Sequence, residues 1–203
     1  MNHLFVTTRY VSRSLQPLGC FVLCSFLCLG IASCQNEDEI GQLITDPSLD
    51  LKPGKNFPDS WFYWVNESPH EFFWLPKEPE SNDYYLGFEN SVFDTVHYSF
   101  YAQSILTPIP KGKQLTLRAK VKAENLVGEG LNLAIRCDGP QGIIKFVSTR
   151  DQAPIQGNFD WKEFNVVLDE VPEETNVIAV LVLYLNATTG RASFDDVTLT
   201  YKR

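Results

Sequence analysis

A chain of 203 residues, 44% hydrophobic and with a formal net charge of −8, has the length and apolar content for a single packed domain. Its acidity and the lack of any basic patch interleaved with aromatics argue against phosphate backbones as partners, so no nucleic-acid role is expected. Three histidines in the whole chain leave little material for a histidine metal site or a Ser-His-Asp arrangement.

The first 33 residues read as an address. His3, Arg9 and Arg13 make a basic start, no acid precedes Cys34, and an apolar run extends from Pro17 to Ala32. The run falls short of the roughly 20 residues of a membrane span, and with small residues at its end it predicts a secretory signal over residues 1–33. Ile31-Ala32-Ser33-Cys34 resembles a bacterial lipoprotein lipobox, which implies that Cys34 carries a diacylglycerol and that the membrane is met through this lipid anchor only. Glu37-Asp38-Glu39 resembles the export signal of Bacteroidota surface lipoproteins, which implies an outer-membrane protein facing the medium. The alternatives are an uncleaved signal anchor, cleavage by the ordinary signal peptidase, and an acidic run that is only a solvated tether.

Removing residues 1–33 takes away Arg9 and Arg13 and no acid, so the net charge of −8 becomes −10. Cys20, Cys24 and Cys28 leave with that segment, and only Cys34 and Cys137 remain. With Cys34 acylated, no internal disulfide is available, and stability rests on the core. Residues 34–50 are polar and acidic without a sustained period and read as the lipidated cysteine and its tether. The domain is expected over residues 51–203.

Turn signals then punctuate the chain at short intervals, among them Pro53-Gly54, Pro110-Lys111-Gly112, Gly128-Glu129-Gly130, Asp138-Gly139-Pro140 and Thr189-Gly190. Between them the period is two. Leu115, Leu117, Ala119 and Val121 alternate with Thr116, Arg118, Lys120 and Lys122, the pattern of a half-buried antiparallel strand. Leu131, Leu133, Ile135 and Cys137 repeat it, which places Cys137 in the core as a small hydrophobe. Residues 177–185 are apolar on both faces and predict a covered central strand. The full set of expected strands is 60–65, 84–89, 97–106, 114–123, 131–138, 142–149, 161–168, 176–185 and 192–201. Nine short strands and no convincing helix predict an all-β fold, an antiparallel β-sandwich. In the last strand the inward parity changes across Asp195-Asp196, which predicts a bulge there and an acid near the core in need of a partner, either backbone or a cation.

Pro110-Lys111-Gly112-Lys113 leading into the Leu115–Val121 strand, Asp160-Trp161 opening a later one, and Gly190 to Val197 (GRASFDDV) closing the domain resemble the jelly-roll carbohydrate-binding modules of the galactose-binding-like fold. The resemblance covers roughly residues 55–203 and specifies the fold better than the ligand. It implies a jelly roll and a structural calcium near Asp195 and Asp196. Gly87-Phe88-Glu89 has the letters of the family's opening motif but lies later in the chain, which leaves further calcium ligands unassigned.

The aromatic segment Trp61-Phe62-Tyr63-Trp64, Phe72-Phe73-Trp74, Tyr84-Tyr85 and Phe88 is the most distinctive part of the mature chain. Sugar C–H faces stack on flat rings while amides and charges read their hydroxyls. Alternation sends Trp61 and Tyr63 one way and Phe62 and Trp64 the other, so one pair belongs to the core. Trp74, Tyr84 and Tyr85, set among Pro, Glu and Asn, are the expected stacking residues. Gln103, Arg118, Asn132 and Arg136 are the expected outward hydrogen-bonding partners, with Arg150-Asp151 nearby. The expected function is non-catalytic capture of an oligosaccharide or polysaccharide at the cell surface. Its rivals are a structural or adhesion module binding an outer-membrane protein and, further off, a glycoside hydrolase with two facing carboxylates.

Overall fold

In a computed structural model the described residues are 40–50, 52–64, 67–106 and 108–202. The signal, Cys34 and the acidic run lie outside them. Ten antiparallel strands follow in order: β1 (Ile40–Gln42), β2 (Trp61–Trp64), β3 (Glu71–Pro76), β4 (Tyr84–Asn90), β5 (Ser99–Ile105), β6 (Leu115–Gly139), β7 (Gly142–Ser148), β8 (Ile155–Leu168), β9 (Val177–Tyr184) and β10 (Thr189–Lys202). The all-β sandwich read from the alternation is the observed fold.

Strand β6 organises the molecule. Its first half, Leu115 to Leu126, pairs with β10 on one side and β8 on the other, and β10 goes on to β4 and then β3. Its second half, Leu131 to Asp138, pairs instead with β9, which leads to β5 and β2, and on its other side with β7. One continuous strand therefore runs through both layers. It turns between them at Asn125 (φ 50°), Gly128 (φ 99°) and Gly130 (φ 79°). A β-carbon at Gly128 would overlap the carbonyl oxygen of Ala187, so both the backbone angle and the close approach require glycine. The sequence predicts two strands here, because the glycines read as a hairpin turn. They mark instead the bend of a single strand, whose pairing partners on both sides keep it extended.

The two layers stack face to face on a ring-rich core. Tyr101 of β5 meets Phe194 of β10 at 5.2 Å between ring centroids and Phe88 of β4 at 4.9 Å, and Tyr184 of β9 meets Phe88 at 5.4 Å. Leu117, Ala119 and Val121 from one half of β6, and Leu131, Leu133, Ile135 and Cys137 from the other, are fully buried between them, as their alternation requires. Strand β9 is buried on both faces and lies between β5 and β6, the central place its composition predicts.

Two segments differ from the sequence reading. Residues 40–50 are not simply a free tether: β1 extends the β10 edge, Ile44 and Leu49 enter the core, and the Trp74 indole N–H donates to the Leu49 carbonyl at 3.1 Å. Residues 71–76 form a strand rather than a loop, because pairing with β4 satisfies a stretch whose own pattern does not alternate cleanly. Strand β10 has its irregularity between Asp195 and Thr198, with Asp196 at φ 48°.

Candidate functional site

Each layer presents one face to the core and one outward, and the outward faces differ in character. On the β7–β6–β9–β5–β2 layer, strand register sets three rows across the sheet. Phe62, Ala102, Leu181, Ala134 and Ser148 form one; Trp64, Phe100, Leu183 and Asn132 form the next; Ser104, Ala179, Arg136 and Phe146 form the third. Ala102, Ala134, Ala179 and Leu181 form a buried floor on this face, with Phe100 and Leu183 packed against it and larger side chains on the flanking strands; this floor and its flanks are termed the trough. Phe62, Trp64 and Phe146 stand 46%, 37% and 45% exposed on its two sides. The Trp64 ring stacks on Phe100 (5.5 Å, 17° between planes), and Tyr98 stacks on Phe100 in turn (6.4 Å, 20°). Trp64 and Tyr98 also meet directly, at 5.4 Å and 36°, so the three rings form a compact cluster along one wall.

The opposite wall sets charged groups beside Phe146. Arg136 donates from Nε and Nη2 to Asp138 Oδ2 at 3.1 and 2.9 Å, which fixes the guanidinium over the third row. Arg150 pairs with Glu129 at 2.6 Å at the other end. Asn132 lies in the same face but is buried, its Oδ1 accepting from the Thr149 hydroxyl (2.8 Å) and the Arg150 amide (2.9 Å). It pins the short 3-10 turn Thr149–Asp151 rather than offering an amide to a ligand.

The other sequence-selected residues lie elsewhere. Gln103 was expected to face outward and instead faces inward with Tyr101 and Ile105. It is 1% exposed, and its amide is spent on the Thr45 N–H and carbonyl at 2.6 and 2.8 Å. Trp74 is half-buried against the core with its indole committed to Leu49, and it packs on Tyr84 at 4.7 Å, so both brace the folded N-terminal segment. Tyr85 and Arg118 are on the outward face of the β8–β6–β10–β4–β3 layer, far from the trough in sheet order. Tyr85 meets the Trp161 ring edge-on at 5.6 Å there, and Arg118 is exposed, 3.9 Å from Glu163. The trough aromatics were recoverable in part: alternation pairs Phe62 with Trp64, whereas Tyr98 and Phe100 join them only through the β2–β5 register.

The acid at the bulge finds a partner that local sequence does not reveal. Asp195 is 1% exposed, and its Oδ2 accepts from the Lys77 ammonium at 2.5 Å, while Lys77 also reaches Asp83 at 2.6 Å. Asp196 turns the other way to Lys120 at 2.7 Å. Each carboxylate that the family resemblance assigns to calcium already holds a lysine, and among the described residues no group of three or more His, Cys, Asp or Glu side chains converges on a metal position. This donor set fits two ammonium groups rather than one calcium ion.

Burial pushes the Asp195 carboxyl from 3.8 up to about 6, against the pull of Lys77. Burial also opposes the charge on Lys77, but its hydrogen bonds to Asp195 and Asp83 outweigh that and raise it. Because the folded carboxyl titrates above its unfolded value, the native state binds more protons between pH 4 and 6, and its stability falls as pH rises through that window. Asp195→Asn, which cannot ionise, is expected to flatten this dependence. Relative to the variant, the wild type should lose roughly 2 kcal/mol between pH 4 and pH 7. Denaturant midpoints of the two proteins at both pH values measure this, and parallel profiles would contradict it.

No protein-family model matches the sequence, and no curated protein matches it. Solved structures do match. A cyclase from Fischerella aligns over 81% of this chain and 98% of its own, with 11% identity and a TM-score of 0.58. The CBM22-1 and GH10 modules of endo-1,4-β-D-xylanase 10B from Clostridium thermocellum, complexed with xylohexaose, align over 80% of this chain and 28% of theirs, with 14% identity and a TM-score of 0.50. The fold is a jelly roll shared with carbohydrate-binding modules. The enzymatically active domain of tailspike protein 4 from bacteriophage CBA120 also matches, over 70% of this chain at 14% identity and a TM-score of 0.52. This chain spans about a fifth of that protein's length. At such identities the likeness establishes architecture.

Proposed function

We propose that this protein is a lipid-anchored, surface-exposed carbohydrate-binding module that captures glycan in the trough without catalysis. The observation that carries the reading is the cluster of Trp64, Phe100 and Tyr98 on the same face as Arg136, with Ala102, Leu181 and Ala134 in the row between. Sugar rings stack on such a wall through their C–H faces, and the guanidinium opposite supplies fixed donors for their hydroxyls. The architecture shared with a xylanase's CBM22 module supports the same reading. Non-catalytic action is supported by the carboxylates that flank the trough, since Asp138 and Glu129 are each engaged by an arginine. The anchor at Cys34 and the outward orientation are supported by the sequence of residues 1–39 alone.

The test is affinity electrophoresis of the purified full-length chain through gels containing soluble polysaccharides (xylans, galactans, mannans, glucans), with and without EDTA. Retardation in at least one gel, unchanged by EDTA, is expected. Uniform mobility across the panel would refute glycan capture and favour the adhesion reading, for which the exposed apolar rings of the same face are the available surface.

A further inference from the structure

The second outward face carries a feature that the trough does not explain. Two adjoining hollows, of about 350 Å3 and 240 Å3, share Lys77 and Trp161 in their walls. The larger falls at the small end of ligand clefts, about 300 to 1,000 Å3. Trp161 forms one wall and Tyr85 stands edge-on to it. Ser193 contributes a small side chain from β10 and lies beside Gly87 of β4 in register. A side chain at Gly87 would collide with the Phe73 ring, which lies over that position and is capped in turn by the Arg191 guanidinium at 4.1 Å. One boundary of the face is thereby fixed.

Asp195 lines the larger hollow together with Lys120 and Glu163. One of its oxygens holds Lys77, while the other, Oδ1, is buried and has no hydrogen-bond partner among the described residues. A buried carboxylate oxygen left without a donor is costly, and structures retain such a group chiefly where a ligand or an ordered water completes it. The charges around it nearly cancel: Lys77, Lys120 and Lys122 stand against Glu78, Glu124, Glu163 and Asp195. That balance disfavours a phosphate or sulfate, and equally a metal cation. What the hollows offer is an aromatic wall, an acceptor lacking its donor, and ammonium groups and a serine hydroxyl within the same walls. A vicinal diol on a ring with an apolar face matches this set, since each hydroxyl both donates and accepts.

We propose that the Tyr85–Trp161 groove is a second binding site for a neutral pyranoside, on the opposite layer from the trough. The ligand class deepens the carbohydrate reading and rests on it, whereas the site is independent of the trough. A chain engaging glycan on both outward faces would cross-link or grip a polysaccharide at two points, and linked sites gain avidity beyond either alone.

The test uses the indole N–H resonances of the full-length chain in 1H–15N spectra. Trp61, Trp64, Trp74 and Trp161 are each assigned by a Trp→Phe variant, and the probes are the methyl pyranosides of xylose, galactose, glucose and mannose. Saturable movement of the Trp161 resonance by at least one glycoside is expected, preserved in Trp64→Ala and weakened about ten-fold or more in Asp195→Asn. Tyr85→Ala, a wall residue outside the core, should weaken it as well, which covers the case in which Asp195→Asn fails to fold. If Trp64 moves and Trp161 does not, the second site is refuted and the trough stands. If Trp161 moves while Trp64 stays fixed, the groove stands and the trough reading fails. If neither moves with any glycoside, both fail. Loss of the Trp161 response in Trp64→Ala would also overturn an independent site.

Discussion

Gly128→Ala is expected to destabilise the protein by about 3–6 kcal/mol, a large part of the roughly 5–15 kcal/mol that holds a domain folded. Two costs combine. The residue sits at φ 99°, where a side chain adds about 1–3 kcal/mol of backbone strain, and its β-carbon would overlap the Ala187 carbonyl, which is backbone and has no rotamer to move to. The position is also where β6 leaves one layer for the other, so displacing it disturbs the pairing of β8, β9 and β10 together. Urea unfolding of the variant should show a large drop in midpoint, or the variant should fail to accumulate as soluble protein. Gly54→Ala is the control: it also has positive φ, but nothing lies within contact of an added carbon, so its cost should be confined to the strain of the turn.

Trp64→Ala is expected to weaken polysaccharide binding by about ten-fold or more, equivalent to ~1.4 kcal/mol or more, while leaving the unfolding midpoint nearly unchanged. The side chain is 37% exposed on an edge strand and stacks on Phe100 outside the main core, so its removal opens no internal cavity. Trp74→Ala should do the reverse. It removes a half-buried ring and the hydrogen bond to Leu49, loosening residues 40–50 while leaving the trough intact. Titration with a retained oligosaccharide and thermal unfolding of both variants separate the two roles. Equal losses of affinity would show that Trp64 does not act as a stacking platform.

The contrast between these tryptophans shows what the sequence could reveal. Alternation from Leu115 to Val121 and from Leu131 to Cys137 was legible because a core on one face imposes a period of two, and the buried set is the one observed. The same rule separated Trp61 from Trp64 but grouped Tyr63 with Trp61, whereas Tyr63 at the sheet edge is 54% exposed, more than Phe62 or Trp64. The choice of Trp74 and Tyr84 as exposed rings rested on neighbouring Pro, Glu and Asn. That composition describes the β3–β4 connection and says nothing of the strand before it, whose face is set by pairing with β4. Gln103 shows a second limit: a polar residue on an inward register is tolerated because the Thr45 backbone, from a segment read as tether, meets both ends of its amide. The parity break at Asp195 announced a buried acid in need of a partner. That Lys77 supplies it follows only from the tertiary fold, since nothing in local spacing links the two.

The most direct measurement is the mobility of wild type, Trp64→Ala and Trp161→Ala side by side in a gel containing the polysaccharide that retards the wild type most. Strong wild-type retardation, nearly abolished by Trp64→Ala and partly relieved by Trp161→Ala, is the predicted result. Retardation that survives Trp64→Ala in full would contradict the trough as the principal glycan site.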